Sequence, residues 1–466
     1  MKKIIKVTVF AVTIFSLLSC SSKIKKQNQR EILKHQEYFK LNNSLKIENQ
    51  KKELSLKKYI DSLSIEEKIS QLFLINLEKD DEFLPVEWFD KSTILPDGKI
   101  KIERKTLIPS GYIFFGYNIS KNPSQIISFT NSVVNHAVEQ NLIPPFLSID
   151  VEGGFVNRLR GVAGPLPENE RISEILTPLQ SYNLYSFYAK QLFALGFNLN
   201  LAPVAEICTN ANKDFLSGRS YGSEIQAIEY ATKSINAYQN SNVGCVVKHF
   251  PGNTNIDPHI GLPKIDMSQQ EFDQIVKVFS EVIKSNPSGV LMSHAIVPSF
   301  DKHPACLSKF WVTDVLRNKI GYDGIIFSDD IFMGALINNG YSPKVASKLA
   351  ILAGVNCIMI SEKKFGRWME LLIEACKEDD SLIFRIDESV FKILKYKLKH
   401  NIIQAEFDKI SNSYLINAKP VYKIDDSLLN KRRIIFDQNK LKSENIYKKY
   451  FYNSASNEEK KGLFVE

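Results

Sequence analysis

The sequence predicts a (β/α)8 barrel, and three observations carry that prediction. Eight short apolar runs recur between residues 71 and 361, and most gaps between them are long enough for a helix. The runs are apolar throughout rather than alternating, as strands buried on both faces of a parallel sheet are. The intervening segments carry helix-start signals. A doubly wound open sheet shares the strand–helix alternation and is the runner-up.

The runs follow in order. QLFLIN (71–76) is the first expected strand. Residues 78–108 come next; they are long for a simple connection and read as an insertion in the first repeat. GYIFFG (111–116), PFLSID (145–150) and LNLAPV (199–204) are the second to fourth strands. CVVKHF (245–250), GVLMSH (289–294), GIIFSD (324–329) and CIMIS (357–361) complete the set. Ser268 with Glu271 three residues on forms a capping box ahead of FDQIVKVFSEVI. Ser342-Pro343 supplies an N-cap and a first-turn proline ahead of KVASKLAILAG.

Both ends of the chain lie outside this pattern. MKKIIKVTVFAVTIFSLLSC has a basic start, an apolar run of signal-peptide length and a Leu-Leu-Ser-Cys ending that resembles a bacterial lipobox. The expectation is cleavage before Cys20 and acylation of its thiol, with an uncleaved anchor as the alternative. Either reading places the protein outside the cytoplasm, tethered to a bacterial membrane. Residues 1–19 are thus read as a lipoprotein signal peptide and 20–56, polar and lysine-rich, as a tether with some helix in its second half. The barrel domain is expected over 57–401. Residues 402–466 show no clear period and form an extension without an assigned role.

The 466-residue chain is 44% hydrophobic and 24% charged, an ordinary soluble composition. Its net charge of +8 is spread along the sequence. With no recognised module and no basic patch interleaved with aromatics, nucleic acid is not an expected partner. Beyond Cys20, the five cysteines are odd in number and sit mostly in apolar runs, which argues against a disulfide framework. No Cys-x-x-Cys pair or histidine cluster suggests a metal. A monomer is expected.

Chemistry should sit at the C-terminal ends of barrel strands and in the loops after them. Polar residues collect there: Asp150 after the third strand, Glu206 and then Arg219 after the fourth, Lys248 and His249 at the fifth, His294 at the sixth, and Asp329-Asp330 at the seventh. Such a ring would be costly to bury without a use. Structural ion pairing at the barrel mouth is the plain alternative for any one of them. Acids and cations together suit a polyhydroxylated ligand. A retaining glycosidase needs a carboxylate nucleophile and a separate proton donor; Asp329 is a candidate for the first.

The motifs KHFPG with DPH, FSDDIFMGA, SIDVEGG, GRSYG and SIEEKISQLFLI, in that family's order over about 57–375, resemble glycoside hydrolase family 3, in particular its β-N-acetylhexosaminidases. The resemblance implies a (β/α)8 barrel that works without metal or cofactor on GlcNAc-containing carbohydrate. It implies that Asp329 is the nucleophile, with Asp330 a supporting neighbour. Asp150, Arg219, Lys248 and His249 would hold the non-reducing sugar, with His294 beside them. It further implies that His259, paired with Asp257, is the acid/base. An imidazole titrates near pH ~6.5, and a carboxylate on one ring nitrogen fixes which tautomer faces the substrate. Here NTNI fills a loop segment shorter than the family usually carries, and Pro258 stands between the two members of the pair where a serine is usual. Three readings stay open at this point. The leading one is a retaining exo-β-N-acetylglucosaminidase acting on peptidoglycan fragments or chito-oligosaccharides. The others are a phosphorylase using the same site and a non-catalytic glycan-binding surface lipoprotein.

Overall fold

A computed structural model describes residues 43–417 and 425–452. The expected signal peptide, Cys20 and the first part of the tether lie outside the described residues. Among those described, no helix is long and apolar enough to cross a membrane. The described residues divide into two compact units: those up to Lys58 with Phe407–Leu415, and Tyr59–Glu406 with those from Ile416 on. In the smaller unit the second half of the tether is helical from residue 43. Lys51 Nζ donates to Asn412 Oδ1 at 2.7 Å, and Ser55 Oγ accepts from the Tyr414 amide at 3.0 Å.

The larger unit is the eight-stranded parallel barrel. Its strands are β1 (Phe73–Asn76), β2 (Gly111–Phe114), β3 (Phe146–Ile149), β4 (Leu199–Asn200), β5 (Gly244–Phe250), β6 (Gly289–Met292), β7 (Ile325–Phe327) and β8 (Ile358–Ile360). They are hydrogen-bonded in the order β7-β6-β5-β4-β3-β2-β1-β8. A parallel bridge between Phe327 and Cys357 joins the two ends of that order and closes the barrel. All eight apolar runs of the sequence therefore become barrel strands, each within its run except β5, which starts one residue earlier at Gly244. Because side chains alternate along a strand, one set points inward. Leu74, Ile113, Phe146, Leu199, Val246, Leu291, Ile325 and Phe327 belong to one buried cluster that fills the barrel. Each such side chain contributes about 1.5–3 kcal/mol by leaving water.

Helices α1 (Pro123–Glu139), α2 (Pro178–Leu195), α3 (Glu224–Gln239), α4 (Gln269–Ile283), α5 (Phe310–Lys319), α6 (Pro343–Ala353) and α7 (Gly366–Glu378) follow β2 to β8 in turn. Local chemistry sets their starts. The Ser268–Glu271 box caps α4, and Ser342 caps α6 ahead of Pro343, both as the sequence indicates. The first repeat has no helix after β1. Its insertion is an antiparallel hairpin, Trp88–Ile94 paired with Ile100–Thr106.

Helix α8 (Asp380–Lys399) plugs the N-terminal end of the barrel. Its Ile393 and Tyr396 join the interior cluster, and the Tyr396 hydroxyl donates to the carbonyl of Asn198, just before β4, at 2.8 Å. With that end sealed, ligands reach the barrel from the opposite, C-terminal end.

The C-terminal stretch contributes a long helix, α9 (Asp426–Tyr450), capped by Asp425. It lies along α2. Gln191 on α2 donates to Ser443 Oγ at 3.2 Å, and Gln180 to the Tyr450 hydroxyl at 3.0 Å. A β-carbon at Gly164 would stand 2.0 Å from Ser443 Oγ, so only glycine allows this approach.

Candidate active site

The strand period decides which polar residues reach the open end. Asp150 continues the inward parity of Phe146, Lys248 that of Val246, and Asp329 that of Ile325 and Phe327. The three side chains are thus delivered to the barrel mouth from β3, β5 and β7.

There they join an ion-pair network. Lys248 Nζ bridges Asp150 Oδ1 at 2.8 Å and Glu152 Oε1 at 2.6 Å. Arg219, from the loop after β4, grips Glu152 with two parallel bonds of 2.7 and 2.9 Å, the bidentate geometry that suits guanidinium and carboxylate. Its guanidinium lies over the Phe215 ring at 5.3 Å and approaches His249 Nε2 at 3.5 Å. His249 Nδ1 meets Glu206 Oε1 at 2.6 Å. Burial disfavours the charged form of Glu152, but Lys248 and Arg219 outweigh it and hold the carboxyl well below the usual carboxylate range. Burial likewise works against the Lys248 ammonium, and Asp150 and Glu152 overcome it, so its pKa is raised. The cluster is buried, with Asp150 still partly open to solvent.

Asp329 is half-buried, and its Oδ1 accepts from the Asp330 amide at 2.9 Å. Asp330 has the opposite parity and turns away from the mouth. Its Oδ1 takes the amides of Phe332 and Ser361 at 3.0 and 3.1 Å, which fixes the loop on which Asp329 stands. Burial pushes the Asp330 carboxyl up.

His294 was expected among the ligand-binding residues, and the structure places it elsewhere. It has the parity of Val290 and Met292, opposite to the inward-facing Leu291, and is 0% exposed. Its Nε2 lies 3.0 Å from the Asp330 carbonyl and its Nδ1 3.2 Å from Cys306 Sγ. A carbonyl only accepts, so Nε2 carries the hydrogen and Nδ1 accepts from the thiol. Burial lowers its pKa, which keeps the ring neutral. His294 therefore braces the Asp329-Asp330 turn from behind.

Asp257 and His259 sit on the loop after β5. Asp257 Oδ1 takes both the His259 amide at 2.9 Å and its Nδ1–H at 2.7 Å. These bonds outweigh the desolvation that opposes them and lower the Asp257 pKa. With Nδ1 occupied, Nε2 faces outward on a side chain that is 70% exposed. The loop docks on the segment after Asp329: the Pro258 carbonyl accepts from the Ala335 amide at 3.0 Å. Gly334 makes this possible, since a β-carbon there would stand 2.5 Å from the His259 carbonyl oxygen.

Two residues in this region escaped the sequence reading. Glu152 is the hub of the ion-pair network; its spacing of two from Asp150 was the available signal, since i and i+2 share a face of extended chain. Arg158 donates its backbone amide to the Asp150 carbonyl at 3.1 Å, and its guanidinium lies over the Phe115 ring at 5.8 Å. Its Nε is buried without a hydrogen-bond partner. Among the described residues, no group of three or more His, Cys, Asp or Glu side chains is arranged to hold a metal ion.

Residues 64–396 match the glycosyl hydrolase family 3 N terminal domain. A beta-hexosaminidase A from Pseudoalteromonas piscicida is 28% identical over 319 residues, covering 62% of this chain and 53% of that protein. This chain thus spans about half the length of that relative. A beta-hexosaminidase from Haemophilus influenzae is also 28% identical, over 52% of this chain and 73% of its own. Among solved structures, a family 3 beta-N-acetylglucosaminidase from Paenibacillus superposes with a TM-score of 0.64 at 25% identity, covering 80% of this chain and 68% of that one. A beta-N-acetylhexosaminidase from Beutenbergia cavernae, at 21% identity, shares the fold with a TM-score of 0.59, over 72% of this chain and 99% of its own.

Proposed function

Because the chain belongs to glycosyl hydrolase family 3 through this domain, we propose that it is a retaining exo-β-N-acetylglucosaminidase. The observation that carries the reading is the Asp257–His259 pair: an outward-facing imidazole with its tautomer fixed, on a loop bonded to the segment that follows Asp329. The relatives named beta-hexosaminidase support the sugar assigned.

In this reading the terminal GlcNAc lies against the buried network. Asp150, Lys248 and Arg219 meet its hydroxyls and carbonyl, with His249 and Arg158 alongside. Charge-assisted bonds from a buried cluster are stronger than those made in water. The Asp329 carboxylate attacks the anomeric carbon while His259 gives its Nε2 proton to the departing glycosidic oxygen. The C–O bond to the leaving sugar breaks, and an ester to Asp329 forms. Neutral His259 then takes a proton from water, whose oxygen displaces Asp329 at the same carbon. Two inversions give net retention. Asp257 keeps the ring aimed through both steps.

The substrates that fit are peptidoglycan fragments or chito-oligosaccharides with a free non-reducing GlcNAc. Lipid attachment at Cys20 would hold the enzyme outside the cytoplasm on a bacterial membrane, facing the periplasm or the cell surface. The test is hydrolysis of a chromogenic β-N-acetylglucosaminide, with and without phosphate. Wild type should turn it over in the absence of phosphate, and Asp329→Ala and His259→Ala should each lose at least about a hundredfold. Binding of the sugar by all three proteins with no turnover by any would instead favour a glycan-binding role. Turnover only with phosphate would favour phosphorolysis.

A further inference from the structure

The first-repeat hairpin, Trp88–Ile94 with Ile100–Thr106, keeps one face on the larger unit and turns the other to solvent. Residues opposite each other in an antiparallel pair share a face, as do alternate residues along a strand. The register puts Phe89 with Lys105 and Lys91 with Glu103 on one face. That face is the docked one: Lys91 Nζ meets Glu67 Oε1 at 2.5 Å, and Lys105 Nζ donates to the Gln140 carbonyl at 3.0 Å. The other face carries Trp88, the Asp90–Arg104 pair, Ser92 with Ile102, and Ile94 with Ile100. Its four large apolar side chains, Trp88, Ile94, Ile100 and Ile102, are between 56 and 77% exposed.

Single exposed isoleucines are ordinary, but four large apolar groups on one ribbon face mark a contact surface. Size separates the possible occupants. Each strand has seven residues. At ~3.3 Å per residue and ~4.8 Å between strands, the face is about 23 Å long and roughly 10 Å wide. A stable protein interface takes about 800 Å² from each partner, several times that area. A bilayer needs no matching surface: it takes side chains one by one, tryptophan at headgroup level and aliphatic groups below it.

Charge and chain length favour the same occupant. Residues 88–106 hold five basic side chains (Lys91, Lys99, Lys101, Arg104 and Lys105) against three acids (Asp90, Asp97 and Glu103). Lys99, Lys101 and Arg104 are exposed, and basic groups beside a membrane favour anionic lipid. Cys20 lies 23 positions before the first described residue, a reach of at most about 80 Å. A lipid there would keep the hairpin close to the bilayer. We propose that this ribbon face docks on an anionic bilayer surface, with Ile94, Ile100 and Ile102 at the acyl boundary and Trp88 among the headgroups. The tethered protein then lies against the membrane instead of ranging over the full length of its tether. The inference rests on the membrane location read from Cys20 and does not need the protein to hydrolyse anything.

Vesicle sedimentation tests it on the chain from residue 20 with Cys20→Ser, which takes no lipid. This protein should pellet with phosphatidylcholine vesicles that contain phosphatidylglycerol, and at least threefold less with phosphatidylcholine alone. Adding Ile94→Ser and Ile100→Ser together should cut partitioning at least tenfold. Ile225→Ser, which removes an isoleucine of similar exposure on α3, should leave it unchanged. Vesicles should also shift tryptophan emission to the blue, and Trp88→Phe should remove that shift; it decides the matter should the double variant fail to fold. No pelleting with either vesicle, full pelleting of the folded double variant, or a blue shift that survives Trp88→Phe would each overturn the proposal. So would a concentration-dependent dimer that the double variant abolishes, which would assign the face to a second copy. Mass spectrometry of the full-length protein from a bacterial membrane reads lipid on Cys20 separately, so a failed anchor and a failed docking face are told apart.

Discussion

Gly334 should matter to proton transfer out of proportion to its size. The perturbation is Gly334→Ala. The added β-carbon would lie 2.5 Å from the His259 carbonyl oxygen and 3.1 Å from Asn338 Nδ2, where ordinary contact begins at 3.4 Å. About 1 Å must come from movement of the 257–259 loop, because the Pro258–Ala335 bond ties the two backbones together. A misplacement of that size costs on the order of a hundredfold in rate, or about 2.7 kcal/mol of barrier. The crowding should cost roughly 1–3 kcal/mol of stability, leaving the protein folded. The assay is kcat/KM across aryl β-N-acetylglucosaminides of graded leaving ability. A dinitrophenyl leaving group needs no protonation, so its kcat/KM should fall by less than about threefold, while a methoxyphenyl glycoside should lose the full factor. An equal loss across the series would mean that the substitution disturbs sugar binding or Asp329 and would refute the proton-transfer reasoning. No loss anywhere would show that the docked loop does not position His259.

Other outcomes follow from the same contacts. Glu152→Gln removes the shared partner of two buried cations and should destabilise the fold by about 3–5 kcal/mol, measured by urea unfolding at pH 7. Because the Glu152 pKa is lower folded than unfolded, its stabilisation is complete above the unfolded value of about 4.3 and is lost as pH falls toward the folded one. Wild-type stability should therefore decline below about pH 5, and that decline should be shallower in the variant. Lys397, wholly buried with Nζ donating to Gln71 Oε1 at 2.7 Å, has its pKa driven down by burial. A folded pKa below the unfolded ~10.4 means the unfolded chain binds the extra proton, so this lysine weakens the fold at neutral pH and less so as pH rises. Lys397→Met should raise the melting temperature by a few degrees at pH 7, with the gain shrinking at pH 9.

The barrel was legible because strands buried on both faces leave continuous apolar runs, and capping residues mark the helices between them. What stayed hidden was hidden for physical reasons. Helix α9 buries Phe436, Asn439, Ser443 and Tyr447, a helical stripe, but two of its members are polar and mask the period. The first-repeat hairpin exposes Ile94, Ile100 and Ile102, so it lacks the alternation that marks a half-buried strand. At the site, position at a strand end was readable but side-chain direction was not carried through. Strand parity separates Asp329 from Asp330, and it also turns His294 away from the mouth. Glu152 was passed over because its partners, Lys248 and Arg219, are 96 and 67 residues distant in sequence, and only the closed barrel brings them together.

Covalent trapping tests the central claim most directly. The protein is incubated with a fluorinated β-N-acetylglucosaminyl fluoride that forms the glycosyl ester quickly and hydrolyses it slowly, and the adduct is mapped by peptide mass spectrometry. The account predicts one sugar per chain, attached to Asp329, and none on the Asp329→Ala protein. A sugar attached to Asp330 or any other side chain, or steady turnover of a β-N-acetylglucosaminide by Asp329→Ala, would contradict it.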